Sequence, residues 1–251
     1  MKLSIIIPIH NEEKNIYKLL TSIKKIKFKI PYEIIVVNDR STDGTGTLLN
    51  KLKKRIKTLS IIHRTGDSDT IEIGYAITAG TKVAKGDMFT IMMGDLSDDP
   101  KDIAKMIKKI NEGYDVVCGS RLIKGSRLIN YPPLKLVMMK IYNNLFSFAF
   151  NLPVKDFSNA FKTYKRNVFK KVKLNSKEFE ITAEMLIKAH IAGFKIAEVP
   201  VSWINRKSGK SKFGSFNLSF KFLFYQLPRI GFRYCATTIK LYFQYLFSKL
   251  R

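Results

Sequence analysis

The sequence predicts an α/β protein with a Rossmann-like, doubly wound and mostly parallel sheet. Three observations support this fold class. Short apolar runs alternate with stretches of helical periodicity, several of the runs end in polar turns, and 251 residues suit one large domain with appendages. In such folds, ligands bind where the carboxyl ends of the parallel strands meet. A functional site is therefore expected at that edge of the sheet.

The first half of the chain alternates strands and helices. Strands are predicted over 3–8, 33–38, 59–63 and 88–93, and helices after them over 10–23, 45–57, 71–85 and 100–111. The third of these helices is rich in small residues, which allow a helix to lie close to a sheet. A fifth short strand, 115–119, extends the pattern.

The regular alternation of predicted strands and helices ends after Gly119. A basic loop over 120–130 precedes an amphipathic helix over 134–152, and a strand and turn, a helix and a final strand are predicted over 156–166, 179–192 and 196–203. We place one boundary, giving a domain over 1–212 and a basic aromatic tail over 213–251. Two amphipathic helices, broken at Pro228 and Gly231, fit the tail.

The turn GDLSDDP at 94–100 follows the fourth strand and carries Asp95, Asp98 and Asp99. Carboxylate oxygens suit Mg²⁺ or Mn²⁺ bridging a diphosphate. Asp95 is the predicted metal ligand. For Asp98 and Asp99 the favoured interpretation is capping of the helix that begins at Pro100.

Asp39 follows the second strand, where a carboxylate can accept hydrogen bonds from a nucleotide. A simple Asx turn in the following STDG segment is the alternative. No glycine fingerprint of a dinucleotide site and no Walker loop follows the first two strands. Phosphates would therefore have to be held by a cation.

The composition is strongly basic, with 45 Lys and Arg against 20 Asp and Glu. This excess indicates an anionic partner, although a general lysine bias is the alternative. Two distant cysteines give neither a disulfide framework nor a zinc site. The apolar run at the N-terminus is too short for a signal peptide, and no uncharged stretch reaches the about 18 residues of a spanning helix.

Eight motifs occur in an order that resembles glycosyltransferase family two, which has the GT-A fold, and its dolichyl-phosphate hexose synthase branch. One such motif is weakly specific, but eight in order are strong. They are IIIPIHNEE at 5–13, EIIVVNDRSTDGT at 33–45, AKGD at 84–87, MMGDLSDDP at 92–100, GSRLIKGS at 119–126, DFSNAFKTYKR at 156–166, EFEITAEML at 178–186 and RKSGKSKF at 206–213.

The resemblance implies roles for particular residues. Those expected to contact the nucleotide sugar are Pro8, His10, Glu12, Asp39, Gly94, Asp95 and Ser97, with Mg²⁺ or Mn²⁺ on Asp95. Those expected to act in catalysis, as metal ligand or around the phosphates of donor and acceptor, are Asp95, Arg121, Lys135, Arg206 and Lys212.

The chain departs from the family pattern at two positions, Met93 and Lys135. The metal motif usually begins with an Asp two places before the second one, and Met93 stands there. The branch commonly has an Arg where this chain has Lys135, which keeps the charge but loses the bidentate fork. Ser97 conforms to the pattern.

The predicted function is inverting transfer of a hexose from a GDP- or UDP-sugar to a polyprenyl or dolichyl phosphate. A phosphate acceptor is already ionised at neutral pH, so no general base is required. The acid-free tail and helix 134–152 predict a peripheral protein on anionic lipid at the cytoplasmic face of a membrane. Ordinary packing of the tail helices on the domain, or a dimer contact, is the alternative. The alternatives are a family-two enzyme acting on a saccharide or surface polymer, and a non-catalytic nucleotide-sugar or nucleic-acid binder. Nucleic acid is not the expected partner.

Overall fold

A computed structural model of the protein describes residues 1–66, 72–205 and 227–249. The strands in this part of the chain are β1 (Leu3–Ile9), β2 (Tyr32–Asp39), β3 (Leu59–Arg64), β4 (Met88–Ile91), β5 (Val116–Ser120), β6 (Arg127–Ile129), β7 (Lys162–Lys165), β8 (Ile196–Pro200) and β9 (Ser202–Ile204). The helices are α1 (Glu13–Lys24), α2 (Thr45–Lys53), α3 (Ile73–Val83), α4 (Ile103–Asn111), α5 (Pro133–Ala149), α6 (Arg166–Lys171), α7 (Ile181–Ile191) and α8 (Leu227–Lys249).

Seven strands form the central sheet, in the order β3-β2-β1-β4-β7-β5-β8. The four adjacent strands β3, β2, β1 and β4 are parallel to one another, and β5 is parallel to β8. Strand β7, which lies between β4 and β5, runs antiparallel to both. Helices cover both faces. The predicted α/β class with a mostly parallel, doubly wound sheet is confirmed.

Two apolar layers sandwich the sheet, and the two-residue period of β1 divides its side chains between them. Leu3, Ile5 and Ile7 pack into the layer covered by α1, α2 and α4. Ile6 points the other way and shares a layer with Ile77 of α3 and with residues of α5, α7 and α8. Burial on both faces explains why β1 appears in the sequence as a continuous apolar run.

The final predicted strand is in fact two strands. β8 pairs with β5 in the central sheet, but β9 leaves that sheet and pairs in parallel with β6, a short strand inside the loop predicted at 120–130. The change of partner occurs at Val201, which is buried between them. This small second sheet is an element that the sequence did not predict.

A single helix, α8, runs through Gly231, so the predicted helix break at that residue is wrong. Pro228 lies in the first turn of α8, where its missing N–H disrupts no helical hydrogen bond. Most of the other predicted tail helix falls outside the described residues. Leu241 and Tyr245 of α8 are buried in the apolar layer that contains α7. None of the helices in the described ranges is both long and apolar enough to cross a membrane.

Candidate functional site

The candidate site lies where β2, β1 and β4 end. These three strands are adjacent and parallel, and Ile9 of β1 lies opposite Asn38 of β2 while Ile6 lies opposite Ile91 of β4. Their carboxyl ends therefore share one edge of the sheet. Pro8 is buried in β1 beyond the last residue paired with β4, so its missing N–H leaves no gap in the β1–β4 ladder.

The loop after β1 is joined to the turn after β2. Nδ1 of His10 donates to the main-chain oxygen of Asp39 at 2.7 Å. Asn11 has a φ of 55°, in the left-handed region that Asn tolerates, and its Oδ1 accepts from the amides of Thr42 at 2.7 Å and Asp43 at 3.3 Å. These bonds fix the two loops relative to each other, and they give His10 a structural role.

Glu12 lies at the start of α1 in the same pair of loops. Its amide donates to Oγ1 of Thr45 at 2.9 Å, and its Oε2 accepts from Nδ2 of Asn15 at 2.6 Å. The second bond orients the carboxylate along the first turn of the helix. Pro8, His10 and Glu12 thus lie at one edge of the sheet, and their contact with a nucleotide sugar stays a prediction.

The Asp39 carboxylate is completely buried and forms no Asx turn; the Asx turn in the STDG segment is formed by Asp43, whose Oδ1 accepts from the amide of Thr45 at 3.0 Å. The Asp39 carboxylate accepts instead from the amide of Glu72 at 2.6 Å, from Nε of Arg40 at 3.0 Å and from Nη1 of Arg64 at 3.3 Å. Arg64 also pairs with the Glu72 carboxylate at 2.8 Å. The end of β2 therefore carries a charged network that ties together β2, β3 and the approach to α3.

The acidic turn after β4 lies directly against the end of β1. A Cβ on Gly94 would overlap Cγ2 of Ile9, so glycine is required for this close approach. Leu96 follows with a φ of 62°. Asp95 is 6% exposed, and its Oδ1 accepts from the amide of Ser97 at 3.0 Å and from its hydroxyl at 2.6 Å.

The other two carboxylates of this turn behave differently from each other. Asp99 accepts from the amide of Lys101 at 3.0 Å and caps the 3₁₀ turn Pro100–Asp102, as predicted. For Asp98 the capping interpretation is wrong. Asp98 is 5% exposed, and its Oδ1 has no hydrogen-bond partner among the described residues.

Burial is the main reason why the pKa of Asp98 is raised, to about 7, and the nearby charge of Asp95 raises it further. The charge of Arg121 and a main-chain hydrogen bond from Met93 act in the opposite direction. The Asp98 carboxyl group is thus close to the end of β4, the Asp95 carboxylate and the Arg121 guanidinium.

Strand β9 covers the acidic turn. The main chain of Asp98 forms a bridge with Trp203, and the amide of Ile204 donates to the oxygen of Ser97 at 2.8 Å. Next to this bridge, the ring of Trp203 packs on Tyr131 with centroids 4.6 Å apart. Neither aromatic residue was identified from the sequence, because their proximity to the turn depends on the pairing of β6 with β9.

Lys135 lies beside these two rings. Its Nζ is 5.5 Å from the centroid of Tyr131 and 5.9 Å from that of Trp203, within the range of a cation–π contact. The structure therefore places this predicted phosphate ligand next to the strand that covers the acidic turn. Arg206 and Lys212, two further predicted ligands, lie outside the described residues.

Arg121 is held in a bidentate ion pair with Asp156. Nε lies 2.7 Å from Oδ2 and Nη2 lies 2.8 Å from Oδ1, and the Arg121 amide also donates to Oδ2 at 2.9 Å. Burial would raise the pKa of the Asp156 carboxyl, but Arg121 holds it below its ordinary value. Asp156 was not predicted as a site residue, although it begins the DFSNAFK motif.

Two of these carboxylates fit a divalent cation. In the part of the chain that the structure describes, no group of three or more His, Cys, Asp or Glu could hold a metal ion. Mg²⁺, however, is commonly held by one or two carboxylates together with substrate phosphates. Asp95 and Asp98, with an unpartnered buried oxygen on Asp98, match that arrangement.

Comparison with known proteins gives a consistent result. The profile described as Glycosyl transferase family 2 matches residues 4–173. The chain is 33% identical over 214 residues to a dolichol-phosphate mannosyltransferase of Pyrococcus furiosus, covering 84% of this chain and 59% of that protein. It is 27% identical over 221 residues to a polyprenol monophosphomannose synthase of Mycolicibacterium smegmatis, covering 85% of this chain and 82% of that one.

Solved structures share the fold at low identity. Glucosyl-3-phosphoglycerate synthase from Mycobacterium tuberculosis, in complex with uridine diphosphate, superposes with a TM-score of 0.67 at 14% identity, covering 96% of this chain and 80% of that one. Its complex with Mn²⁺, uridine diphosphate and phosphoglyceric acid gives 0.61 at 16% identity, with coverage of 83% and 71%. The predicted GT-A fold is confirmed.

Proposed function

Because this chain belongs to glycosyl transferase family 2, we propose that it transfers a hexose from a GDP- or UDP-sugar to a polyprenyl or dolichyl phosphate. The observation that carries the proposal is the position of the acidic turn at the shared edge of β1, β2 and β4, beneath β9. The names of the two curated relatives, which describe mannose transfer to dolichol phosphate or polyprenol phosphate, support this acceptor class.

The donor is proposed to bind along the edge formed by the ends of β1 and β2. Pro8, His10 and Glu12 lie on one side of that edge, and the buried Asp39 network lies on the other. The bonds between these loops hold them together before a ligand arrives, which reduces the ordering cost of binding. Gly94, Asp95 and Ser97 are proposed to contact the diphosphate and sugar end of the donor.

Charge on the leaving diphosphate is the main electrostatic problem of the reaction. A Mg²⁺ or Mn²⁺ ion on Asp95 would neutralise that developing charge when bound. Ser97 holds the Asp95 carboxylate in a single orientation through two hydrogen bonds. Arg206 and Lys212 are proposed to supply further positive charge to the phosphates.

The acceptor phosphate is proposed to bind near Arg121 and Lys135. A phosphomonoester with a second pKa near roughly 6 is mostly dianionic at neutral pH, so it can attack the anomeric carbon without losing a proton. Asp156 fixes the plane of the Arg121 guanidinium. Attack from the side opposite the diphosphate inverts the anomeric configuration.

A membrane surface is the proposed location of the acceptor, on the cytoplasmic face. α5 and α8 pack together, with Oη of Tyr142 3.1 Å from Oγ1 of Thr238 and the rings of Phe150 and Tyr242 5.6 Å apart. We call the exposed apolar side chains of these two helices the apolar face. Its members are Leu134, Val137, Met138, Ile141, Leu145, Phe148, Ile239, Phe243, Leu246 and Phe247.

Basic side chains accompany the apolar face, including Lys135 and Lys140 on α5 and Lys240 on α8. Apolar side chains that enter the headgroup region and lysines beside anionic lipid, at about 1 kcal/mol each, favour binding to the surface of the bilayer. This arrangement supports a peripheral association in which the site near Lys135 reaches the lipid phosphate.

A donor panel tests the function. The protein is incubated with radiolabelled GDP- and UDP-sugars, Mn²⁺ or Mg²⁺ and polyprenyl phosphate, and label is followed into the organic phase. We expect label in the lipid from at least one donor. Label that appears only on an added oligosaccharide would instead support transfer to a saccharide, and the absence of transfer from every donor would support a binding protein.

A further inference from the structure

Asp98 is a buried carboxylate that the predicted reaction leaves without a role. Its neighbours in the turn are satisfied: Asp99 caps the 3₁₀ turn, and Asp102 accepts from the amide of Ser202 at 2.7 Å and pairs with Lys105 at 2.6 Å. Asp98, at 5% exposure, keeps one oxygen without a hydrogen-bond partner in the described part of the chain. A buried acceptor without a donor is costly, so it calls for an explanation.

The position of the Asp98 carboxyl group suggests an explanation for its unpartnered oxygen. The main chain of Met93 hydrogen-bonds to this carboxyl group, and the Asp95 carboxylate is a close charged neighbour. Met93 occupies the place where the family's metal motif usually begins with an Asp. The carboxyl group of Asp98 therefore lies next to the main chain of the residue that stands in place of that Asp.

Main-chain contacts with β9 fix the position of Asp98. Its bridge with Trp203 and the bond from Ile204 to Ser97 join the turn to β9 on either side of the residue. Arg121, the nearby cation, already directs two nitrogens to Asp156. In the part of the chain that the structure describes, the Asp98 oxygen without a hydrogen-bond partner thus lies close to a second buried carboxylate, that of Asp95.

We propose that Asp98 is a second carboxylate ligand of the divalent cation, replacing the motif Asp that is absent at Met93. A divalent cation between Asp95 and Asp98 would offset their repulsion and provide a partner for the unpaired oxygen. This inference rests on the proposed function, because it concerns the same cation. It assigns to this chain a ligand pair separated by two residues, Leu96 and Ser97.

A measurement of Mn²⁺ binding tests the inference without relying on turnover. Free Mn²⁺ is followed by electron paramagnetic resonance in the presence of UDP or GDP. The full chain is compared with Asp98→Asn, Asp95→Asn and Asp99→Asn. We expect Asp98→Asn to weaken Mn²⁺ binding by about ten-fold or more, as loss of an oxygen ligand should. Asp99→Asn, which changes only the cap, should bind like the parent.

A rescue variant separates a ligand from a merely structural residue. In Met93→Asp/Asp98→Asn a carboxylate returns to the family position, and Mn²⁺ affinity should return to within a few-fold of the parent. Asp98→Ala provides a second test if the Asn variant does not fold, as judged by circular dichroism.

Two results would overturn the inference. Parent-like Mn²⁺ binding by Asp98→Asn, with loss of binding in Asp95→Asn, would remove Asp98 as a ligand and leave the proposed function standing. Absence of Mn²⁺ binding by the parent with either nucleotide would reject the metal itself, and with it both this inference and that part of the proposed function.

Discussion

The guanidinium of Arg121 and the carboxylate of Asp156 meet in two parallel hydrogen bonds of 2.7 and 2.8 Å, and the carboxylate is buried while the arginine side chain is only 11% exposed. Breaking such a pair from one side leaves a charge without its partner. We expect Asp156→Ala to lower the free energy of unfolding by about 3–5 kcal/mol, measured by urea denaturation. Glu112→Gln removes the partner of Lys109 in an exposed pair and should change stability little. An equal effect of both substitutions would contradict the structural role of the buried pair.

Asp95→Asn should abolish sugar transfer while leaving the fold intact, because the amide removes the negative charge that a divalent cation needs. The readout is transfer of label to polyprenyl phosphate, with circular dichroism as the check on folding. Asp99→Asn is the matched control, since Asn also caps helices well and the half-buried side chain acts only as a cap. Retained turnover in Asp95→Asn would show that the metal has been assigned to the wrong residue.

Gly94→Ala should displace the acidic turn from the end of β1. The added Cβ would overlap Cγ2 of Ile9, so we expect a loss of about 1–3 kcal/mol in unfolding free energy and weaker binding of Mn²⁺ with nucleotide. Gly46→Ala is the control within a helix. Its Cβ would meet Nδ2 of Asn38 at an ordinary 3.5 Å, and the change should stabilise α2 by about 0.5–1 kcal/mol. Equal behaviour of the two variants would contradict the close approach at Gly94.

Phe148→Glu should weaken binding to vesicles that contain anionic lipid. Phe148 is 88% exposed on the apolar face, and burial of a Phe side chain contributes about 1.5–3 kcal/mol, so binding should fall by about ten-fold or more. Sedimentation with liposomes measures the effect. Tyr17→Glu places the same charge on α1, which packs on the opposite face of the sheet, and should leave binding unchanged.

Lys162 predicts a pH dependence of stability. Its side chain is fully buried and donates to the main-chain oxygens of Asn159 and Thr182, and burial lowers the pKa of its ammonium from 10.5 to about 8. Between these two values the unfolded chain binds the proton more tightly than the folded chain, so this group makes stability rise with pH. Below pH 8 the folded state must carry the buried charge, and the penalty is fully present.

Lys162→Met removes this contribution. Relative to the parent, the unfolding free energy of the variant should therefore decline as the pH is raised from 8 to 10.5, measured by urea denaturation at several pH values. Lys165→Met, which removes a half-buried ammonium 3.1 Å from Asp115, serves as the control and should show no such trend. A flat difference between parent and Lys162→Met would contradict a lowered pKa.

The sequence predicted the main sheet well because its strands are continuous apolar runs. The apolar residues of the connecting helices recur with a period of about 3.6 residues, which distinguishes helices from strands. The sequence also predicted Asp39 and Asp95 at one edge, since parallel strands bring their ends together. Local patterns carry that information. The direction of β7 and the separation of β9 from β8 depend on which distant strand each one pairs with, and no local period reports this.

The burial and the partners of each charged residue could not be predicted from the sequence either. The family resemblance identified Arg121, but its partner Asp156 lies 35 residues later, and only the fold brings them together. Asp98 and Asp99 are adjacent and chemically identical, yet Asp98 is buried and the half-buried Asp99 caps the 3₁₀ turn. That difference arises from β9, whose contact with the turn could not be inferred from either residue.

The pairing of β9 with the acidic turn also sets the order in which the site can form during synthesis. Ser202 donates to Asp102 across 100 residues of chain, and its neighbours Trp203 and Ile204 complete the cover over Asp98. Domains fold from the N-terminus as they emerge, and contacts this distant close late. A ribosome-bound chain that stops before Ser202 would contain every carboxylate of the turn without the strand that covers them, so the buried environment of Asp98 can form only once that strand has been made.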